Sequence, residues 1–138
     1  MKDEKLYSAK IGHQISVFIE NRPGSLAQVI DILRDAKVNM FALALNEGLD
    51  IGYLRVTVDQ LDVAKKVLEA AGHLVLDREV ILLEVANKPG GFAAASDRWA
   101  KKGINIEYAY SATSESPDRS VIVVRVADPK KALAILDA

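Results

Sequence analysis

The sequence predicts an α+β protein built from two tandem copies of one small module. Two observations carry this prediction. A loop motif at Asn21 returns 66 residues later at Asn87, and both copies show the order strand, helix, strand, strand, helix. Half of the 138 residues are hydrophobic, so a chain of this length has enough apolar side chains to form a core.

The repeat extends beyond the loop motif. The motif reads Asn21-Arg22-Pro23-Gly24-Ser25-Leu26-Ala27 in the first copy and Asn87-Lys88-Pro89-Gly90-Gly91-Phe92-Ala93 in the second. At the same offset, Val38-Asn39-Met40 returns as Ile104-Asn105-Ile106, whereas Leu54-Arg55-Val56 returns as Val124-Arg125-Val126 at an offset of 70. The second copy therefore carries four extra residues, and its polar stretch 113–119 predicts a longer loop.

In the first copy, residues 14–20 alternate polar and apolar side chains and predict a half-buried strand. Pro23 and Gly24 indicate a turn, because Pro fixes φ and Gly leaves the backbone unobstructed. Apolar residues then recur at helical spacing over 25–36, with Ser25 as the predicted N-cap. Two strands over 39–45 and 51–58, joined through 46–48, precede a second helix over 63–71, which Gly72 ends.

The second copy follows the same plan. Its predicted strands cover 80–86, 104–111 and 120–126, and its predicted helices cover 91–102 and 129–138, with Pro129 in the first turn of the last helix. The order of elements is the ferredoxin-like split βαβ pattern, in which the helices cover one face of an antiparallel sheet.

The fourth strand of each module has two interpretations. Residues 74–76 are apolar, but only three residues separate them from Val80. So short a connection favours a hairpin with the strand at 81–85. Each module is then permuted, with its edge strand first, and the modules span 5–72 and 73–138. In the conventional alternative, residues 74–76 close the first module and the second module lacks its last strand.

With its Asn-Arg-Pro-Gly-Ser-Leu loop, a following helix and then Val-Asn-Met, the sequence resembles the ACT domain family across both repeats. The resemblance implies a ferredoxin-like regulatory module that binds a free amino acid. In the serine-binding member of this family, a loop Asn and Gly hold the ligand, and an Asn eighteen residues later reaches in from a partner module. Both copies match that spacing, but Ile19 and Val85 stand where that member has a His, so the identity of the amino acid does not carry over.

The chemistry of the loop agrees with this implication. Free N–H groups at a helix N-terminus favour a carboxylate, and an Asn amide serves either end of a zwitterion. We expect two sites across the junction of the modules, with Asn21 opposite Asn105 and Asn87 opposite Asn39; the alternative is that each motif is only a good turn. The expected ligand-binding residues are Asn21, Arg22, Gly24, Ser25, Leu26, Asn39, Asn87, Gly90, Gly91, Phe92 and Asn105.

Composition narrows the function classes. The 18 basic and 19 acidic residues nearly cancel, which argues against a nucleic-acid partner. There is no cysteine and there are only two histidines, and no acid–base or nucleophile constellation appears. We therefore expect no catalysis, metal or cofactor. Residues 1–5 carry mixed charge and precede no long apolar run, so we expect no signal peptide, no membrane span and a cytoplasmic location.

The sheet face turned away from the helices is predicted to be apolar. We expect a second copy to cover this face in a homodimer, although Arg55 and Arg125 also fall on it. The expected function is a regulatory protein that senses an amino acid and acts on a metabolic enzyme. The alternative is an assembly subunit with vestigial ligand sites. The apolar residues predicted on the face are Phe18, Tyr53, Leu82, Val121 and Val123.

Overall fold

The computed structural model describes residues 6–46, 51–114 and 116–137. The predicted α+β fold is confirmed. The elements in chain order are β1 (Tyr7–Glu20), α1 (Ser25–Asp35), β2 (Met40–Asn46), β3 (Ile51–Val58), α2 (Leu61–Ala70), β4 (Val75–Ala86), α3 (Gly91–Lys101), β5 (Tyr108–Ala112), β6 (Arg119–Arg125) and α4 (Pro129–Asp137). Most of the turn predicted between β2 and β3 lies outside the described residues.

The chain divides into two compact units. The first unit is His13–Arg78, and the second unit combines the residues up to Gly12 with those from Glu79 onward. Strands β1 and β4 therefore each contribute their first part to one unit and their second part to the other. The boundaries 5–72 and 73–138 remain those of the sequence repeat and differ from the division into compact units.

The first unit has the ferredoxin-like strand order. Strand β3 pairs antiparallel with β1 on one side and with β2 on the other. On the free side of β1, the N–H of Phe18 donates to the carbonyl of Leu74 at 3.3 Å. Helices α1 and α2 cover one face of this sheet. The core between them contains Ile15, Val17, Ile19, Val29, Leu33, Val38, Leu54, Val56, Val58, Ala64, Leu68 and Val75.

The second unit is closed by the N-terminal segment of the chain. Strand β6 pairs antiparallel with β4 and with β5, and the N–H of Ala86 donates to the carbonyl of Leu6 at 2.8 Å. Tyr7 and Ala9 pack against the core of this unit, and Arg98 Nη1 donates to the Tyr7 hydroxyl at 3.1 Å. The core contains Ile81, Leu83, Val85, Ala95, Trp99, Val124, Val126, Ala132 and Leu136.

The predicted hairpin between residues 74–76 and 81–85 is wrong. Strand β4 runs without interruption from Val75 to Ala86, and Val75 belongs to the core of the first unit. The connecting residues Asp77, Arg78 and Glu79 include none of the Gly, Pro or Asn residues that favour a tight turn, so the strand continues through them. The first unit has the conventional order of strands, and the second unit takes its edge strand from residues that precede it in the chain.

Candidate functional site

The loop after β1 is held in one conformation by Gly24. This residue has φ of 88° and is the N-cap of α1, a left-handed conformation that only glycine adopts without strain. Ser25 is therefore the first residue of the helix, and the prediction that its side chain caps the helix is wrong. The N–H of Ser25 instead donates to the carbonyl of Arg22 at 3.3 Å, and the helical ladder begins with Gln28 N–H on the Gly24 carbonyl at 3.0 Å.

The loop after β4 has the same backbone geometry. Gly90 has φ of 89° and is the N-cap of α3. The N–H of Gly91 donates to the carbonyl of Lys88 at 3.0 Å, and Ala94 N–H donates to the Gly90 carbonyl at 3.1 Å. The repeated sequence motif therefore produces a repeated strand–turn–helix, and each helix directs its first-turn amides toward the loop.

A cavity of 170 Å³ in the first unit is formed where the loop meets the ends of the strands. Four of the predicted ligand-binding residues line it together, namely Asn21, Arg22, Ser25 and Leu26. The rest of the lining was not predicted and comprises Ile19, Glu20, Leu45, Asn46 and Gly52. These residues are brought to the loop by strand pairing, since Ile19 pairs with Gly52 and Leu45 pairs with Leu54.

The lining of this cavity is divided by chemistry. Ile19, Leu26 and Leu45 give it an apolar wall, while asparagines and the first residue of α1 give it hydrogen-bonding groups. At its rim, Arg22 Nε lies 3.0 Å from Glu20 Oε2, and both side chains are largely exposed. Such a cavity suits a small molecule that has a charged head and a short apolar tail.

Gly52 lets strands β2 and β3 lie close together at one wall of this cavity. A Cβ at this position would lie 3.1 Å from the carbonyl oxygen of Asn46, which is tighter than ordinary packing. The absence of a side chain here lets strands β2 and β3 approach closely at the cavity. The sequence near Gly52 does not indicate this role, because the role depends on which part of β2 lies beside Gly52 in the folded sheet.

A recess of 490 Å³ occupies the corresponding place in the second unit. Asn87 and Phe92 line it, whereas Gly90 and Gly91 are not among its lining residues. Lys88, Ser111 and Ser120 also contribute to its wall. The amide Nδ2 of Asn87 donates to the carbonyl of Pro117 at 2.9 Å, so this side chain contacts the loop between β5 and β6. The predicted offset of 70 in the last strand is wrong, because Val56 and Val124 hold the same register position, opposite Ile15 and Ile81. Their offset is 68, so this loop is two residues longer than its counterpart, not four.

The later asparagine of each copy lies away from its own loop. Asn39 follows α1 and lines a separate recess with Lys37 and Met40. Its N–H donates to Asp59 Oδ1 at 2.9 Å, and its carbonyl accepts from the Asp59 N–H at 3.1 Å. Asn105 lies exposed between α3 and β5. The expected pairing of each later asparagine with the loop of the other module stays a prediction.

Within the ranges that the structure describes, no group of three or more His, Asp or Glu side chains is arranged to hold a metal ion. No helix among the described residues is long and apolar enough to cross a membrane.

Comparison with known proteins finds a matching family model and several solved structures of similar fold. A family model described as an ACT domain pair matches residues 10–137. Protein BT0572 from Bacteroides thetaiotaomicron is 30% identical, with a TM-score of 0.86 over 94% of this chain and 88% of that chain. The ligand-free regulatory subunit of aspartate kinase from Thermus thermophilus is 22% identical, with a TM-score of 0.68 over 95% of this chain and 94% of that chain.

The corresponding subunit from Thermus flavus is 20% identical, with a TM-score of 0.64 over 95% of this chain and 94% of that chain. No curated protein matches the sequence. At these identities, the two Thermus subunits establish similarity of fold.

Proposed function

This chain belongs to the family of ACT domain pairs, and from this membership we propose that it is an allosteric regulatory protein that binds a free amino acid. The observation that carries the proposal is the cavity beside Asn21, which joins the loop motif, the start of α1 and an apolar wall. Its effect on metabolism would pass through an enzyme that it regulates.

The two halves of an amino acid match the two parts of this cavity. Helix α1 offers first-turn amides and the positive end of its dipole to a carboxylate. The Asn21 amide has both a donor and an acceptor and is suited to either charged end of the ligand. Ile19, Leu26 and Leu45 would contact the side chain, so a short aliphatic side chain fits better than a charged one.

A regulatory role is supported by the length and fold of the Thermus subunits. This chain covers 94% of the Thermus thermophilus protein, which is described as the regulatory subunit of aspartate kinase. By analogy of fold, we propose that this chain also regulates a metabolic enzyme.

A thermal-shift screen tests the proposal. Each of the twenty L-amino acids is added singly at millimolar concentration, and its amide derivative serves as the control that lacks the carboxylate. An amino acid present at about 100 times its Kd stabilises the fold by about 2.7 kcal/mol if one site binds and the unfolded chain does not. The amide should give a smaller shift, because it has no anion for the start of α1.

Replacing Asn21 with Ala should weaken this binding. The variant loses a hydrogen bond to a charged group, which costs about 1.5–3 kcal/mol, or roughly 10- to 100-fold in affinity. Isothermal titration of each amino acid that shifts the melting temperature measures the change. Gln28→Ala, on an exposed residue of α1 outside the lining, is the control. Equal affinity of Asn21→Ala and the parent protein would place the site elsewhere.

A second candidate function is that of an assembly subunit, and the exposed apolar side chains of the first unit favour it. Tyr53 is 43% exposed and Ile51 is 53% exposed. Three further exposed side chains lie along β2, namely Phe41, Leu43 and Leu45. If no amino acid raises the melting temperature at millimolar concentration, assembly becomes the better explanation of this protein.

A further inference from the structure

The residues that line the cavity of the first unit and the recess of the second can be matched through the strand pairing. Gly52 lies opposite Ile19 in the first unit, and Ser120 lies opposite Val85 in the second. Ile19 and Val85 each stand two residues before the asparagine of their loop motif. The two residues opposite them therefore occupy the same place in the two modules.

A second pair of positions is matched in the same way. Leu45 of β2 lies opposite Leu54, which comes two residues after the glycine in β3. Ser111 of β5 lies opposite Ile122, which comes two residues after the serine in β6. Both pairs belong to described strands, and all four of the matched residues line the cavity or recess of their own unit.

In the first unit, neither of these positions carries a polar side chain. A Cβ on Gly52 would lie 3.1 Å from the carbonyl oxygen of Asn46, 3.8 Å from Leu45 Cδ1 and 3.9 Å from Ile19 Cγ1. The space that the glycine leaves open is thus bordered by two aliphatic side chains. An aliphatic ligand is stabilised by entering such a space, whereas a polar side chain would give up hydrogen bonds to water there.

In the second unit, both positions carry a hydroxyl group. Ser111 and Ser120 line the recess together with Val85, Phe92 and Ile122, so its wall combines hydroxyls with apolar side chains. A serine hydroxyl both donates and accepts hydrogen bonds. This wall suits a ligand side chain with a short apolar stem and a hydroxyl or amide at its end, because polar atoms that leave water need new partners.

We propose that these two positions decide which side chain each module accepts, so that the first site takes an aliphatic amino acid and the second takes one with a hydroxyl or amide side chain. This inference rests on the proposed function. It gives the chain a second class of ligand, and the protein then senses two amino acids. The specificity-determining residues are Leu45 and Gly52 in the first unit and Ser111 and Ser120 in the second.

Reciprocal substitutions at Leu45 and Ser111 test the proposal. Both side chains are exposed, so their replacement leaves the cores intact. The twenty L-amino acids are the probes in thermal shift, and isothermal titration gives the affinity of each one that shifts the parent protein. Leu45→Ser should weaken the aliphatic ligand by roughly 10-fold and keep the polar ligand within about twofold. Ser111→Leu should weaken only the polar ligand, by roughly 2- to 10-fold.

The chain offers a matched control for each substitution. Leu43 lies on the same strand as Leu45, is 40% exposed and is not among the residues that line the cavity. Ala109 has the same relation to Ser111 on β5. Leu43→Ser and Ala109→Leu should keep both affinities within about twofold. Gly52→Ala should weaken the aliphatic ligand, because its methyl group fills the open space.

The outcomes separate this inference from the proposed function. A parent protein that binds amino acids of one class only would overturn the inference and leave amino-acid binding intact. So would a Leu45→Ser variant that weakens both ligands equally or neither, or a Leu43→Ser variant with the same effect as Leu45→Ser. If no amino acid binds the parent protein, the proposed function fails and the selection between side chains fails with it.

Discussion

Gly91 and Ser25 occupy the same place in the two copies, yet only one of them tolerates a side chain. The Cβ of an alanine at position 91 would overlap the carbonyl of Ala86, and backbone atoms yield less readily than a flexible side chain. We predict that Gly91→Ala destabilises the second unit by roughly 1–3 kcal/mol. Urea unfolding followed by the fluorescence of Trp99 measures this, because Trp99 is fully buried in the second unit.

Ser25→Ala provides the matched control for this prediction. Ser25 already carries a Cβ as the first residue of α1, and its side chain makes no capping hydrogen bond. The substitution should change the free energy of unfolding by less than about 0.5 kcal/mol. If Gly91→Ala is as mild as Ser25→Ala, the end of β4 does not constrain the start of α3.

At the scale of elements, the first part of β1 completes the sheet of the second unit. Ala9 packs against the core that contains Trp99, whereas the neighbouring side chain of Ser8 is exposed. Ala9→Asp should lower the stability reported by Trp99 by roughly 1–3 kcal/mol, because it places a charge among apolar side chains. Ser8→Asp should have little effect. Equal effects of the two substitutions would show that the side chains of this strand do not support the core.

A charge pair links helix α2 to the first part of β4. Lys65 Nζ lies 3.1 Å from Asp77 Oδ2, and the hydrogen bond and charge of Asp77 raise the pKa of Lys65 above its ordinary value of 10.5. A group whose pKa is raised on folding contributes stability that is fully present below its unfolded-state pKa. That contribution is lost as the pH rises through the folded-state pKa.

Lys65→Met should therefore lower the urea midpoint at pH 7 relative to the parent protein. The difference should stay constant up to about pH 10 and shrink at higher pH, as the ammonium of Lys65 deprotonates in the parent. It should also shrink in about 1 M salt, because both side chains are partly exposed and the pair is screened. Lys66→Met is the control on the same helix. A difference that persists above the folded-state pKa would come from packing of the lysine stem.

At the scale of the whole molecule, the side chains predicted on the apolar face differ in their exposure to solvent. Tyr53 is 43% exposed, whereas Val123 is fully buried. Phe18, Leu82 and Val121 are intermediate between these two. In the first unit, Phe18 and Tyr53 make an edge-to-face contact with ring centroids 5.0 Å apart. These rings remain the part of the face that we propose for contact with a second copy.

The homodimer proposal predicts a solution mass near twice 15.0 kDa by light scattering. Phe18→Asp should shift the mass toward the monomer, because a charge in an apolar interface is costly to desolvate. Val63→Asp, at an exposed apolar residue of α2, is the control on the opposite side of the sheet. A parent protein that stays monomeric at high concentration would remove the proposal, and dissociation by Val63→Asp would move the interface to the helices.

Much of the candidate site could be predicted from the sequence, because the residues that identify it lie close together in the chain. The Asn-x-Pro-Gly motif, the helix after it and the repeat at 66 residues gave the loop residues Asn21, Arg22, Ser25 and Leu26 that meet in the first cavity. Leu45, Asn46 and Gly52 were missed, since they reach the cavity through the pairing of β1, β2 and β3. Nothing near these residues in the chain indicates which loop they will face.

By itself the sequence determined the module, its duplication and its helices, since hydrophobic periodicity and glycine turns act over a few residues. Only the tertiary structure decided which strand closes which sheet. Residues 74–76 have the composition of an edge strand for either unit, and Phe18 and Leu74 meet only after more than fifty intervening residues have folded. It also decided that Asn87 holds Pro117, because a hydrogen bond across a loop depends on three-dimensional proximity and leaves no periodic pattern in the chain.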